Sequence, residues 1–258
     1  MITERIRRFK KKLKDGYVVG PFSKTSDPAF IEIMGYAGYD FVIIDLEHGP
    51  NSIQTVQNLI RAAQVANTLP IVRVKENIPS VIKEVLDIGA GGIHVPQITD
   101  AEAAKEVIEL AKFAPEGMRG VCRFVRAADY SSMDRFQYFK EANEAIIVLG
   151  IEGIEALENL DQITAVEGID IIFIGPYDLS QSLNITGQID HPLVIEKMME
   201  IIDKCVQKEI AVGTFVETTE NAKKWRDLGI KYISYSVDTG IFYDACQDII
   251  DKIKVYSS

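Results

Sequence analysis

Two acids and a histidine directly follow a run of apolar residues in the first fifth of the chain. The segment 41–51 reads FVIIDLEHGPN, so four apolar residues lead into Asp45, Glu47 and His48 before a Gly-Pro-Asn turn. Carboxylates can bind metal ions or protons, and a histidine can act as a general base near neutral pH. The segment therefore predicts a buried strand that delivers reactive side chains to its carboxyl end.

Charged side chains also stand at or just after the ends of three other apolar segments. Arg73 lies in IVRVK, Glu152 ends AIIVLGIE, and Asp178 follows DIIFIG in the predicted loop GPYDLS. One such residue is explained equally well by exposure to solvent. Exposure to solvent does not explain six polar residues from four strands, because burying unpaired charges costs several kcal/mol each. The set indicates an active site.

These residues need a fold that brings the ends of different strands to one edge. Eight β-rich runs alternate with helical stretches, which predicts a closed (β/α)8 TIM barrel, an α/β fold, as a single domain over residues 1–258. An open doubly wound sheet is the alternative, but GPFSKTSDP after the first strand lacks its glycine fingerprint. The predicted strands are 17–22, 41–45, 71–75, 92–97, 145–152, 170–175, 210–216 and 232–237.

Two segments lie outside this alternation. Ile2, Ile6, Phe9 and Leu13 recur at helical spacing in a basic stretch, which predicts an amphipathic surface helix before the first strand. Residues 113–144 form a long polar insertion between the fourth and fifth strands. A loop of that length is typically functional or contains small helices of its own.

Side chains alternate along a strand, so the sequence predicts which of them face the barrel interior. In the second strand one alternate set is uniformly apolar and suits packing beneath helices. The other set ends in Asp45 and Glu47, at the end where barrel enzymes place their chemistry. The same argument directs Arg73 and Glu152 inward. Lys75 could also face inward as a Schiff-base lysine, but paired carboxylates do not fit that mechanism.

Composition excludes several classes of partner. The net charge of −10 argues against binding to nucleic acid or to an anionic membrane surface. No stretch approaches the ~18 consecutive apolar residues of a membrane span. Three widely spaced cysteines suggest neither a disulfide framework nor a CxxC zinc site, and they favour a reducing, cytoplasmic location.

The candidate residues together indicate a metal site with oxygen ligands. Two carboxylates without a cysteine or a histidine pair suit Mg²⁺ or Mn²⁺, which would polarise a 2-oxo acid. An arginine stabilises an enolate oxygen, and a histidine held by an aspartate is a general base. This combination predicts cleavage or formation of a carbon–carbon bond through a metal-bound enolate. His94, in mid-strand, is expected to be a satisfied core residue rather than a ligand.

Six segments carry distinctive motifs: DLEHGPN (45–51), PIVRV (70–74), VLDIGAGGIHVP (85–96), GMRGV (117–121), GIEG (150–153) and GIDIIFIGPYDLS (168–180). These motifs resemble those of the HpcH/HpaI aldolases, class II pyruvate aldolases that include the dihydroxyheptenedioate and dehydrodeoxyglucarate enzymes. The resemblance implies a (β/α)8 barrel, usually a homohexamer in which a terminal helix is exchanged between subunits. It also implies a divalent metal (Mg²⁺ or Mn²⁺, with Co²⁺ possible) and cleavage of a 4-hydroxy-2-oxo acid to pyruvate and an aldehyde.

The resemblance assigns roles to individual residues. Glu152 and Asp178 match the metal ligands. Arg73 matches the arginine that binds the pyruvate carbonyl and steadies the enolate, and His48 with Asp45 matches the dyad that acts as the base.

The resemblance also implies a binding site for the pyruvate carboxylate in the turn of Gly175, Pro176 and Tyr177, on backbone amides near Tyr177 and Asp178. Asp87 matches an aspartate that approaches the site from a neighbouring subunit; a plain helix-surface charge is the alternative.

Two of the departures of this chain from the family pattern lie in predicted strands. Gly150 stands where the family commonly has a glutamine that helps to order water and substrate, and Gly20-Pro21-Phe22 stands where it commonly has Gly-Leu-Trp. Other outcomes therefore stay open: oxaloacetate decarboxylation or citrate-lyase-like cleavage on the same site, or a catalytically silent barrel that binds a 2-oxo acid.

Overall fold

The chain folds into a closed barrel of eight parallel strands, seen in a computed structural model that describes residues 2–255. Strands pair in sequence order, and β8 closes the ring by pairing with β1. The predicted barrel is confirmed. The strands are β1 (Val18–Ser23), β2 (Phe41–Asp45), β3 (Leu69–Arg73), β4 (Gly92–Val95), β5 (Ile146–Ile151), β6 (Ile171–Ile174), β7 (Ala211–Val216) and β8 (Tyr232–Val237).

Helices follow each strand and surround the barrel. Side chains cap the first turns of two of them: Ser52 Oγ accepts from the Thr55 amide, and Asp100 Oδ1 accepts from the Ala103 amide. None of the helices within residues 2–255 is long and apolar enough to cross a membrane. The helices are α1 (Ile2–Asp15), α2 (Pro28–Tyr36), α3 (Ile53–Val65), α4 (Pro79–Asp87), α5 (Ala101–Ala111), α6 (Arg135–Ala142), α7 (Ile154–Glu158), α8 (Leu160–Ile163), α9 (Pro176–Ser182), α10 (Pro192–Gln207), α11 (Thr219–Asp227) and α12 (Asp238–Val255).

The hydrophobic core has two layers, as the alternation of side chains predicts. Val42 and Ile44 belong to the larger cluster, between the strands and the surrounding helices. Phe41 and Ile43 belong to the cluster that fills the barrel interior. One set of alternate side chains therefore packs against the helices. The other set fills the barrel interior, and its last members lie in the site.

Helix α1 closes the amino-terminal end of the barrel. Its residues Ile6, Phe9 and Leu13 are buried in the interior cluster, and the Phe9 ring packs edge-on against that of Phe41 with centroids 5.9 Å apart. The predicted amphipathic helix is confirmed. Its apolar face covers the open bottom of the barrel, a contact that periodicity cannot reveal.

The insertion after the fourth strand contains small helices of its own, as expected. A 3₁₀ turn at 126–131 and helix α6 pack around a separate small cluster of Phe113, Ala128 and Tyr138. The insertion is therefore an ordered layer on the side of the barrel.

Candidate active site

A cavity of about 330 Å³ opens at the carboxyl ends of the strands. It brings together Arg73 at the end of β3, Glu152 just after β5, and Asp178 in the loop-to-helix segment after β6. His48, after β2, lines the same cavity. These four residues are remote in sequence, and the barrel alone makes them neighbours.

Arg73 is held by two acids that follow the second strand. Its Nε and Nη2 donate to Asp45 Oδ1 and Oδ2 at 2.9 and 2.7 Å, and its Nη1 lies 2.9 Å from Glu47 Oε2. The Asp45 side chain has no exposed surface, and Arg73 is only 11% exposed. Bidentate pairing of this kind fixes the plane of the guanidinium as well as its position.

The opposite charges of Arg73 and of Asp45 and Glu47 hold these three side chains together. Burial by itself would raise the pKa of Asp45, but its hydrogen bonds and charge pairing with Arg73 bring that pKa below its ordinary value. Burial likewise works against the charge on Arg73, yet Asp45, Glu47 and Glu152 raise its pKa. Asp45 is therefore a permanently charged anchor for Arg73.

The imidazole of His48 is not held by Asp45. Within residues 2–255 the contact between the two is made by the backbone, since the His48 amide donates to Asp45 Oδ1 at 3.3 Å. The ring itself is 60% exposed and its Nε2 lies 3.9 Å from Glu47 Oε2. His48 is thus on the rim of the cavity, and among the described residues its ring makes no hydrogen bond to Asp45, so its pairing with Asp45 as a base dyad stays a prediction.

Glu152 and Asp178 approach each other across Gly175. A methyl group built on Gly175 would lie 3.0 Å from Glu152 Cγ and 3.3 Å from Asp178 Oδ2. Burial, then the charges of Asp178 and Glu47, raise the pKa of Glu152 to about 7. A side chain at position 175 would therefore crowd both acids, and burial and the neighbouring acids make the charged form of Glu152 unfavourable.

This space fits a divalent cation bound through oxygen. No group of three or more metal-binding side chains occurs among the described residues. Two carboxylates are nevertheless a usual protein contribution for Mg²⁺, which keeps several water or substrate ligands. Burial and the neighbouring acids disfavour the charged form of Glu152, and a bound cation would relieve this cost.

The segment after β6 differs from its prediction. GPYDLS was expected to be a loop, but Pro176 is the first residue of helix α9 and Asp178 lies in its first turn. Proline is favoured at this position because it needs no amide hydrogen there. Gly175, Pro176 and Tyr177 all line the cavity, so the backbone amides that begin α9 lie beside the two acids.

His94 is buried in the barrel interior beneath the cavity. Its ring lies 4.7 Å from that of Phe173, and neither ring nitrogen has a hydrogen-bond partner within the described part of the chain. Its predicted place in the core is confirmed, whereas the expectation of satisfied polar atoms is wrong. Burial lowers the pKa of His94 to about 3, and the charge of Arg73 acts in the same direction.

We expect His94 to make the folded protein less stable as the pH falls below about 6.5. An unfolded chain protonates this imidazole near pH 6.5, whereas His94 stays neutral in the fold down to about pH 3, so protons favour the unfolded state between these values. One such group contributes about 1.4 kcal/mol per pH unit. Urea unfolding of the protein and of His94→Gln between pH 7 and pH 5 measures this slope. Parallel slopes for the two proteins would contradict the expectation.

Comparison with known proteins identifies the family. Residues 19–245 match the HpcH/HpaI aldolase/citrate lyase family. The chain belongs to this family. The match covers β2 to β8 and all but the first residue of β1, and it confirms the family predicted from the motifs.

Individual relatives of this HpcH/HpaI chain are similar over nearly its whole length. A 5-keto-4-deoxy-D-glucarate aldolase of Shigella boydii serotype 18 is 32% identical over 237 residues, which are 92% of this chain and 91% of the relative. An HpcH/HpaI aldolase/citrate lyase family protein from Burkholderia cenocepacia superposes with a TM-score of 0.91 at 30% identity, covering 96% and 99% of the two chains. A citrate synthase, SbnG, superposes with a TM-score of 0.87 at 32% identity, covering 96% and 98%.

Gly150 departs from the common HpcH/HpaI pattern, and the structure shows what the glycine allows. A Cβ at this position would lie 2.9 Å from Glu152 Oε1 and 3.1 Å from Pro96 Cα. The missing side chain therefore leaves room for the carboxylate of Glu152, whose Oε2 accepts from the Gln97 amide at 3.2 Å.

Phe22 retains an aromatic face where HpcH/HpaI aldolases commonly have tryptophan. The Arg73 guanidinium carbon lies 4.6 Å from the centre of its ring, a cation–π contact that supports the arginine from below. Phe22, Lys24, Phe215 and Glu217 line the cavity but were not predicted as site residues. Their positions at the carboxyl ends of β1 and β7 could have identified them, because the sequence places the site at that end of the strands.

Two other residues lie away from the cavity. Asp87, at the end of α4, pairs with the buried Arg119 at 2.5 Å. Whether it approaches a neighbouring HpcH/HpaI subunit stays a prediction. Lys75 is exposed and is not among the residues that line the cavity, which argues against a Schiff base.

Proposed function

We propose that this chain is a divalent-metal-dependent aldolase that cleaves a 4-hydroxy-2-oxo acid to pyruvate and an aldehyde, or runs the reverse condensation. One observation carries the proposal: Glu152 and Asp178 meet across Gly175 in the same cavity as a fixed Arg73. Membership of the HpcH/HpaI family and the aldolase names of its relatives support it.

Glu152 and Asp178 are the residues that would hold the metal, which we propose to be Mg²⁺ or Mn²⁺, with Co²⁺ as a substitute. When bound, the cation supplies Lewis acidity toward the carbonyl of a 2-oxo acid. The chain itself orients the substrate. The amides near Tyr177 and Asp178, in the turn of Gly175 and Pro176, receive the pyruvate carboxylate.

Arg73 stabilises the oxygen on which charge develops when the carbon–carbon bond breaks. Its guanidinium is fixed by Asp45, by Glu47 and by the Phe22 ring, so it needs little rearrangement as the charge appears. Such preorganised donors act most strongly in a site that excludes water. Asp45 thus serves the reaction by holding Arg73.

His48 is the candidate base. In cleavage it takes the proton of the 4-hydroxyl group, directly or through a water, and in condensation it returns it. Its exposed ring at the rim leaves room for a substrate on the side away from Glu47. Asp87 is proposed to approach a neighbouring site, as the family resemblance implies.

We further propose a cytoplasmic homohexamer. Helix α12 carries exposed apolar side chains on its described residues, which suits exchange of this helix between subunits. They include Phe242, Tyr243, Ile249, Ile250 and Ile253.

We expect removal of divalent metal to abolish turnover, because the site then loses the Lewis acid that would polarise the carbonyl of the substrate. Purified protein is treated with excess EDTA, assayed with pyruvate and a panel of aldehydes, and then supplied with Mg²⁺, Mn²⁺ or Co²⁺. Activity should vanish and return. Activity that persists in excess chelator, or a covalent adduct trapped by borohydride, would contradict the proposal.

A second candidate keeps the site and changes the outcome, to oxaloacetate decarboxylation or citrate-lyase-like cleavage. Gly150 in place of glutamine and the similarity to a citrate synthase favour it. Assaying oxaloacetate beside 4-hydroxy-2-oxo acids separates the two. A silent 2-oxo-acid-binding barrel would exchange no methyl hydrogen of pyruvate with deuterated solvent.

A further inference from the structure

We infer that a second cavity, near the amino-terminal end of the barrel, binds a small organic acid through the guanidinium groups of Arg126 and Arg5. This cavity of about 290 Å³ lies between α1, the turn after α4 and the insertion 113–144. Among the described residues, none lines both this cavity and the candidate active site. The inference is therefore independent of the proposed function.

Arg126 and Arg5 converge on one residue, Gln64, near the end of α3. Arg126 Nη2 donates to Gln64 Oε1, and Arg5 Nη2 donates to the Gln64 carbonyl at 2.6 Å. All three residues line the cavity. Two like charges are thus held on one neutral residue at the wall of a cavity, and an anion between them would offset their repulsion.

Neither of these arginines forms a salt bridge among the described residues. Their other hydrogen bonds include neutral oxygens, from Arg126 Nη1 to the Ile88 carbonyl at 3.0 Å and from Arg5 Nε to Asn67 Oδ1 at 3.1 Å. Burial is the largest cause that lowers the pKa of both arginines, and in each case the charge of a neighbouring arginine adds to it. A bound carboxylate would stabilise both charged forms.

The acids of the same cavity leave these charges largely uncompensated. Among the described residues that line it, the acids are Asp129 and Glu141. Glu141 accepts from Thr3 Oγ1 at 2.7 Å and from Gln137 Nε2 at 3.0 Å. Asp129 is exposed, and its charge raises the pKa of Arg126 by less than burial lowers it. The cavity therefore retains a place for an anion beside Arg126.

Two buried donors in the wall have no partner within the described part of the chain. They are Arg119 Nε and Tyr138 Oη, and both residues line the cavity. Arg119 is fixed by Asp87 Oδ1 at 2.5 Å and by the Phe113 ring, 4.6 Å from its guanidinium carbon. Unpaired buried donors commonly mark a missing water or ion. They suit a further oxygen of the ligand, bound directly or through one water.

Aliphatic side chains form much of the remaining wall. Ile6, Leu86 and Ala145 are buried residues that line it, and Met133 lines it from the insertion. Small-molecule sites typically combine an apolar lining with a few fixed polar groups. An inorganic anion would leave this apolar surface uncovered. An organic acid places its carboxylate at the arginines and its hydrocarbon part on the aliphatic side chains.

Ordered water is the alternative occupant of the cavity. Water would satisfy the unpaired donors, but a cavity that holds only water gives no preference for an acid over a neutral compound of the same shape. Recognition of charge gives such a preference and makes it depend on Arg126. The two occupants are therefore separated by comparing acids with their amides.

The test is calorimetric titration of the metal-free protein with butanoate, hexanoate and benzoate, and with the three matching amides. At least one acid should bind about 10- to 100-fold more tightly than its amide, the range expected for hydrogen bonds between charged groups. Arg126→Met should lose this preference, and Arg126→Lys should keep part of it. Arg135→Met, exposed on α6 and outside the cavity, is the matched control and should leave the preference unchanged.

Two further variants keep the test decisive. Arg5→Met should also lose the preference, and it replaces Arg126→Met if that variant does not fold. Arg73→Lys should keep the preference, which shows that the acids do not bind in the active site. The inference is overturned if no acid is preferred to its amide, if the preference survives in the cavity variants, or if it is lost in Arg73→Lys. Tighter binding of inorganic phosphate than of every acid also overturns it.

Discussion

Replacement of Glu152 by glutamine is expected to lower the affinity for Mn²⁺ by more than about 100-fold and to abolish turnover. Even residues that only support metal ligands cost about 10- to 100-fold when they are changed, and Glu152 is proposed to be one of two protein ligands. Glutamine keeps the shape of the side chain but removes the charge. Calorimetric titration of metal-free protein with Mn²⁺ measures the affinity.

The same variant should not be less stable than the wild-type protein in the absence of metal. Burial and the neighbouring acids already raise the pKa of Glu152 to about 7, so the charged form is disfavoured at neutral pH and its loss costs the apo protein little. Thermal unfolding in EDTA tests this. His48→Ala is the matched variant, because it should bind Mn²⁺ normally while turnover is lost. Unchanged Mn²⁺ affinity in Glu152→Gln would remove the ligand assignment.

Replacement of Arg73 by methionine is expected to reduce both turnover and stability. Removal of one preorganised donor to a developing oxyanion costs about 10²- to 10³-fold in rate. The change also leaves the fully buried carboxylate of Asp45 without its partner, which costs about 3–5 kcal/mol. Steady-state kinetics and urea unfolding measure the two losses separately.

Two companion variants separate catalysis from folding. Arg73→Lys should retain much of the stability, since it keeps a cation beside Asp45, but not the rate, because one ammonium cannot pair with both acids and lie flat on Phe22. Arg73→Met combined with Asp45→Asn removes the unpaired charge, so stability should largely return while turnover stays low. Turnover near the wild-type level in Arg73→Lys would contradict the role given to the guanidinium.

The sequence by itself determined the barrel and the convergence of the polar residues. A period of two in segments such as FVIID decides which side chains face inward, and parallel strands bring their carboxyl ends to one rim. Arg73, Glu152 and Asp178 could therefore be grouped without coordinates. The helical spacing of Ile6, Phe9 and Leu13 predicted α1 for the same reason, that local periodicity is written in local sequence.

Only the tertiary structure decided which side chains pair with which. Asp45 and His48 are near neighbours in sequence, yet Asp45 is bound by Arg73, 28 residues away. The burial of α1 under the barrel and the missing partners of His94 among the described residues are of the same kind. Each depends on distances and rotamers between segments remote in the chain, where several partners compete for the same oxygen atoms. Local pattern fixes the direction of a side chain, but the packing of the whole barrel selects its partner.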